Sequence, residues 1–289
     1  MVAATVFGQD VNPADVTEPV QAGDVYNYKS NGADWGELNA LCANGKEQSP
    51  IDLNEGAEEN DKMEINGYGY MNYPDGKFIT HTGNTLQMDF TDGEFQLTFP
   101  DGSMSLFEPL WLNFKSPSEH TVEGKHHDLE MQIFHQYKGT NGQYGAVIAI
   151  FFDRGDGGEY DNAFIESLNF RKARPDPGYE IPNAVDLKSF LFNVDMSRYW
   201  SYEGSLTQPP CSEGIAWSII YEVQPISLYQ MEGIAQYFLQ NEQFAFGRGN
   251  NRAVQELYDR KVYHKGIGAA FNALALSSVA TALVAMLSF

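Results

Sequence analysis

Short segments in which hydrophobic and polar residues alternate at period two recur from about Tyr26 to Tyr263, each broken by Gly, Asn, Asp or Pro. That rhythm suits strands whose successive side chains face core and solvent in turn, and it leaves little room for long helices. Thr85-Leu86-Gln87-Met88-Asp89-Phe90 and Phe95-Gln96-Leu97-Thr98-Phe99 each read as a half-buried strand. The run Gly145-Ala146-Val147-Ile148-Ala149-Ile150-Phe151-Phe152 is apolar throughout, which fits a central strand covered on both faces. Helical patterns are few and short, at 161–168, 185–191 and 227–239. With no internal repeat and no linker, residues 24–264 read as one mainly β (α+β) domain, preceded by an irregular acidic arm at 1–23.

The 19 Phe, 16 Tyr and 4 Trp supply bulk for a substantial core. A formal charge of −21, from 39 acidic against 18 basic residues, repels polyanions and argues against nucleic acid as a partner. The N-terminal Met1-Val2-Ala3-Ala4-Thr5-Val6-Phe7-Gly8 lacks the basic start and the full apolar core of a secretory signal.

Residues 265–289 differ from the rest. Ala269 to Phe289 contains no charged residue and no Pro, and small residues crowd it. As a helix rising about 1.5 Å per residue, it is long enough for a hydrocarbon core of about 30 Å. The favoured reading is a transmembrane helix that anchors the domain and packs against membrane protein subunits within the lipid bilayer. A cleaved lipid-anchor signal and an amphipathic helix docked on protein remain open.

The two cysteines, Cys42 and Cys211, could be a disulfide or two buried thiols; spacing does not decide. Closing so long a loop would stabilise by roughly 4–5 kcal/mol in the chain-entropy model.

Several segments, in order, resemble the α-carbonic anhydrases. Tyr26-Asn27-Tyr28 with Trp35 is similar to that family's aromatic N-terminal cluster. Gln48-Ser49-Pro50-Ile51-Asp52-Leu53 and Ser118-Glu119-His120-Thr121-Val122-Glu123-Gly124 match two of its motifs. Tyr199 through Cys211 resembles the segment carrying its gatekeeper threonine, and Asn251-Arg252-Ala253-Val254-Gln255 resembles a closing segment. The resemblance implies a large, mostly antiparallel twisted sheet with short peripheral helices. It also implies a Cys42–Cys211 disulfide, as in secreted algal and bacterial members.

The family's enzymes hold Zn²⁺ on three imidazoles and leave a fourth position for a water whose pKa the metal lowers to about 7. Two ligands lie two apart on one strand and the third lies on the neighbouring strand, in a Glu-Leu-His-Leu-Val-His pattern. The matching segments here are Trp111-Leu112-Asn113-Phe114-Lys115-Ser116 and Glu130-Met131-Gln132-Ile133-Phe134-His135, so the ligand positions hold Asn113, Lys115 and Gln132. No His lies between residues 82 and 119, so no small register shift restores the set. The proton-shuttle position holds Asn84. Glu119 and Thr207 match the pair that orients the zinc-bound hydroxide, Leu206 and Trp217 match apolar walls, and Phe134 stands where the CO₂ pocket has a smaller Val.

An ammonium at Lys115 opposes a divalent ion, and amide oxygens suit zinc poorly. The expectation is that Lys115 takes over the metal's electrostatic role, with Asn113, Gln132 and Glu119 as partners. His120 and His135 read as bonded core residues, and His126 and His127 as solvated. The Arg154-Gly155-Asp156 turn reads as a solvated hairpin.

These readings make the chain a non-enzyme without cofactor: a vestigial carbonic anhydrase serving as an interaction subunit of a membrane assembly. Its domain is expected in an oxidising lumenal or extracytoplasmic compartment, a thylakoid or other organellar lumen being favoured because no Asn-x-Ser/Thr sequon is present. The alternatives are an active hydratase with a displaced metal and a module that binds bicarbonate or another small anion weakly.

Overall fold

The structure is a computed structural model that describes residues 5–6, 9–10, 26–54, 57–59, 64–155, 158–173, 179–181, 184–239, 244 and 247–267. The expected membrane helix at 265–289 falls almost wholly outside them. Among the described residues no helix is long and apolar enough to cross a membrane.

The alternating segments form strands β1 (Glu64–Tyr70), β2 (Lys77–His81), β3 (Leu86–Asp89), β4 (Gly93–Thr98), β5 (Met104–Lys115), β6 (Leu129–Tyr137), β7 (Tyr144–Asp153), β8 (Tyr199–Ser205), β9 (Glu213–Pro225) and β10 (Tyr263–Lys265). Across the sheet the path runs β2-β3-β5-β6-β7-β9-β8-β10, with β4 pairing both β1 and β5. These neighbours are antiparallel except β7 and β9, which run parallel. The apolar run at 145–152 is indeed the centre: β7 lies between β6 and β9, and Gly145 to Phe152 are buried. A strand covered on both faces has no solvent side, so it reads as a continuous run.

Short helices sit at the periphery: α1 (Leu41–Asn44), α2 (Ala163–Leu168), α3 (Leu187–Asn193) and α4 (Leu228–Phe238). Three of them carry side-chain caps. The Asn162 side chain accepts from the N–H groups of Phe164 and Ile165, and Asp186 accepts from Ser189. Ser227 and Gln230 form a reciprocal capping box that fixes the start of α4.

The two faces of the sheet carry different cores. Leu112, Phe114, Met131, Ile133, Ile148 and Ile150 join one cluster with the α2, α3 and α4 side chains. Phe134, Val147, Ala149, Trp217 and Leu206 join the second, on the opposite face. Because side chains alternate along a strand, Asn113 and Lys115 of β5 share a face, apart from Leu112 and Phe114.

Candidate functional site

Strands β5 and β6 assemble a polar centre inside the sheet. Register places Gln132 opposite Asn113 and Glu130 opposite Lys115, and none of the four side chains reaches solvent. Buried charges require partners, and here each has one. The Lys115 ammonium donates to the Tyr28 hydroxyl at 2.5 Å and to Glu119 Oε1 at 3.2 Å, with the Tyr28 ring centroid 4.8 Å away. Glu119 Oε1 also accepts from the Arg252 backbone N–H at 2.9 Å, and Oε2 accepts from Gln132 Nε2 at 2.9 Å.

Gln132 Nε2 also donates to Glu130 Oε1 at 2.9 Å. Glu130 Oε2 takes the backbone N–H groups of Glu119 and His120, while its Oε1 meets His120 Nδ1 at 2.9 Å. Burial pushes the Glu130 carboxyl up, but the adjacent His120 and these hydrogen bonds outweigh it and hold the group below its ordinary value. His120 Nε2 reaches the Tyr202 hydroxyl at 2.7 Å, which in turn meets the Ser49 hydroxyl at 2.7 Å. Arg252 closes the far side: its guanidinium donates to the carbonyls of Ser49 and Cys42 at 2.8 and 2.9 Å. Burial lowers its pKa to about 10 despite the opposing pull of Glu119.

Lys115 therefore does not bond Asn113 or Gln132, as the sequence reading expected. Gln132 Nε2 is held by two carboxylates, and the hydroxyl of Tyr28 completes the lysine's coordination instead. The aromatic motif reports the ring of Tyr28 alone; the one sequence signal for its hydroxyl is the general need of a buried cation for partners. Burial, then Glu119, pushes the Tyr28 phenol well above its usual range.

Three polar atoms in this centre have no hydrogen-bond partner among the described residues, Asn113 Nδ2 and Oδ1 and Gln132 Oε1, and neither has Thr207 Oγ1, which the family resemblance assigns to the same site. All three side chains are 0% exposed. Thr207 is buried just after β8, while Glu119, its expected partner, is engaged by Lys115, Arg252 and Gln132. Leu206 and Trp217 are buried apolar walls. Phe134 is buried too, with its ring stacked on Trp111 at 5.3 Å. Asn84 is half-buried and donates to the Tyr26 carbonyl at 3.1 Å.

His135 is buried, its Nε2 2.7 Å from the Tyr70 hydroxyl, and burial lowers its pKa to about 3. His127 is not solvated as expected: its ring stacks on Phe151 at 4.3 Å and its Nδ1 lies 2.6 Å from Asp153 Oδ2. Its neighbour His126 is exposed, with Nδ1 2.6 Å from the Ser118 carbonyl. Arg154 is exposed, as a solvated turn implies, and donates two side-chain hydrogen bonds of 2.7 and 2.8 Å to Asp128. Cys42 and Cys211 form a disulfide, with Cα atoms 5.2 Å apart, and such a bond implies an oxidising compartment.

Residues 30–266 match the family model for eukaryotic-type carbonic anhydrase, and the chain belongs to that family. A carbonic anhydrase of Nostoc sp. is 29% identical over 264 residues, covering 86% of this chain and 89% of the relative. Alpha carbonic anhydrase 5 of Arabidopsis thaliana is 29% identical over 244 residues, covering 80% and 81%. Among solved structures, the α-carbonic anhydrase of Thermovibrio ammonificans, in complex with the inhibitor sulfanilamide, superposes with a TM-score of 0.66 at 30% identity. That match covers 84% of this chain and 100% of the other.

These findings correct the expectation that the chain is not an enzyme. The relatives named above are carbonic anhydrases, and nothing in the geometry shows a loss of turnover. What the geometry does address is zinc at the inherited position. An amide, an ammonium already paired with Glu119, and a second amide bonded to two carboxylates do not fit a tetrahedral Zn²⁺ site. Changed donors alone do not establish inactivity.

Proposed function

We propose that the polar centre around Lys115 binds bicarbonate, so that this domain handles the carbon dioxide and bicarbonate pair implied by its relatives' name with a lysine at its centre. The supporting observation is the set of unpartnered polar atoms on Asn113, Gln132 and Thr207. Leaving such atoms buried and unsatisfied costs about 1–3 kcal/mol each, so the set favours a guest. The set mixes donors with acceptors, and bicarbonate carries both acceptor oxygens and a hydroxyl donor.

Bicarbonate titration followed by calorimetry tests this on wild type, Lys115→Ala and Thr207→Val. Saturable binding that weakens in both variants is expected. Equal heats from wild type and both folded variants would remove the proposal.

A second reading rests on a separate observation, the uncharged stretch from Ala269 to Phe289. In it the domain is also a subunit of a membrane assembly on its lumenal side, thylakoid or another organelle, held through that stretch to lipid and to neighbouring membrane proteins. Washing native membranes at high salt and alkaline pH tests it: retention until detergent is added is expected, and release by the wash alone counts against it.

A further inference from the structure

We propose that Lys115 is a carbamylation site, its Nζ condensing reversibly with carbon dioxide to a carbamate that Asn113, Thr207 and Tyr28 hold by hydrogen bonds. The inference rests on the reading that this polar centre takes the carbon dioxide and bicarbonate pair.

Among the described residues, Lys115 is the lysine removed from solvent altogether. A surface amine sits as a hydrated ammonium, which has no lone pair to offer. Lys115 instead has a carboxylate 3.2 Å away to receive a proton, and Tyr28 2.5 Å away to orient the nitrogen. Leu206, Trp217 and Phe134 belong to the buried apolar cluster on this face of the sheet, so the amine lies against an apolar interior.

In the reaction, the Lys115 ammonium passes one proton to Glu119 Oε1. The freed lone pair forms a nitrogen–carbon bond to carbon dioxide while one carbon–oxygen π bond opens and leaves its electron pair on oxygen. The nitrogen then releases a second proton, which water carries away. No atom changes oxidation state, and the product is a neutral Glu119 beside a carbamate anion.

The new oxygens need donors, and Asn113 Nδ2 and the Thr207 hydroxyl are buried donors without partners. Asn113 shares the strand face of Lys115, two residues away.

The test incubates the full chain with ¹³C-labelled bicarbonate, traps carbamates with a trialkyloxonium reagent and maps the peptides by mass spectrometry. Label is expected on Lys115, absent from the Lys115→Arg protein, and lost when carbon dioxide is purged before trapping. Asn113→Leu is expected to lower occupancy by about tenfold, the worth of one hydrogen bond to a charged group. Saturable bicarbonate binding with an unlabelled Lys115 would overturn the carbamate and leave the binding reading intact. Neither binding nor label would remove both. Label spread evenly over surface lysines would also overturn it.

Discussion

The ammonium of Lys115 and the carboxylate of Glu119 lie 3.2 Å apart, four residues from each other in the chain, with neither side chain exposed. Residue 115 ends β5 and residue 119 lies in the loop that follows, so the pair ties a strand end to its own exit. The attraction between such charges is large only because water is excluded, and the same exclusion makes either charge costly alone.

Lys115→Met should therefore destabilise the domain by about 3–5 kcal/mol, since Glu119 keeps its burial and loses its counter-ion. The double variant Lys115→Met/Glu119→Gln should recover much of that loss. Urea unfolding monitored by tryptophan fluorescence measures both. A double variant no more stable than the single one would show that the pair is not the unit of stability.

Glu203 sets a pH dependence. Burial and then the Glu47 carboxylate raise its carboxyl from 4.5 to about 7, against the pull of Arg260. Between those values the folded chain holds a proton that the unfolded chain has released, so this contribution to stability is full below pH 4.5 and declines as pH rises toward 7. The raised Glu47 acts in the same direction. Glu203→Gln should flatten the decline; denaturation midpoints across this range, with an unaltered slope, would contradict the assignment.

Gly249 has φ of +124°, and a Cβ there would lie 2.0 Å from the Ser116 carbonyl oxygen and 2.4 Å from Pro117 Cδ. Gly249→Ala is expected to cost at least about 2 kcal/mol, because both the backbone conformation and the contact resist a side chain. Since Ser116 adjoins Lys115, the variant should also weaken bicarbonate binding, which the calorimetric titration reads directly.

Removing the Cys42–Cys211 bond with paired serines should lower stability by about 2–5 kcal/mol. Reductant should destabilise wild type to a similar level and leave the serine variant unmoved. Unfolding curves with and without reductant make the comparison.

The sheet was legible because hydrophobic alternation is local. The strands read near Leu86 and Phe95 became β3 and β4, and the apolar run at Gly145 became β7. Ser227 marked the start of α4 before its capping box was visible. The four-residue α1 escaped notice because it is too short to carry a period. At the site, the positions of Asn113, Lys115 and Gln132 followed from motif register, but their partners did not. Tyr28 lies 87 positions from Lys115, and no local pattern reports a bond across that separation. The surroundings of His127 are hidden for the same reason: Phe151 and Asp153, which hold it, come from β7.

Arg252 reaches back to the carbonyls of Cys42 and Ser49, and its own N–H completes Glu119. A chain emerging from the ribosome thus carries an unfinished interior until residue 252 is made. Any truncation upstream of residue 252 leaves Glu119 short of a donor, and proteases should clear the product.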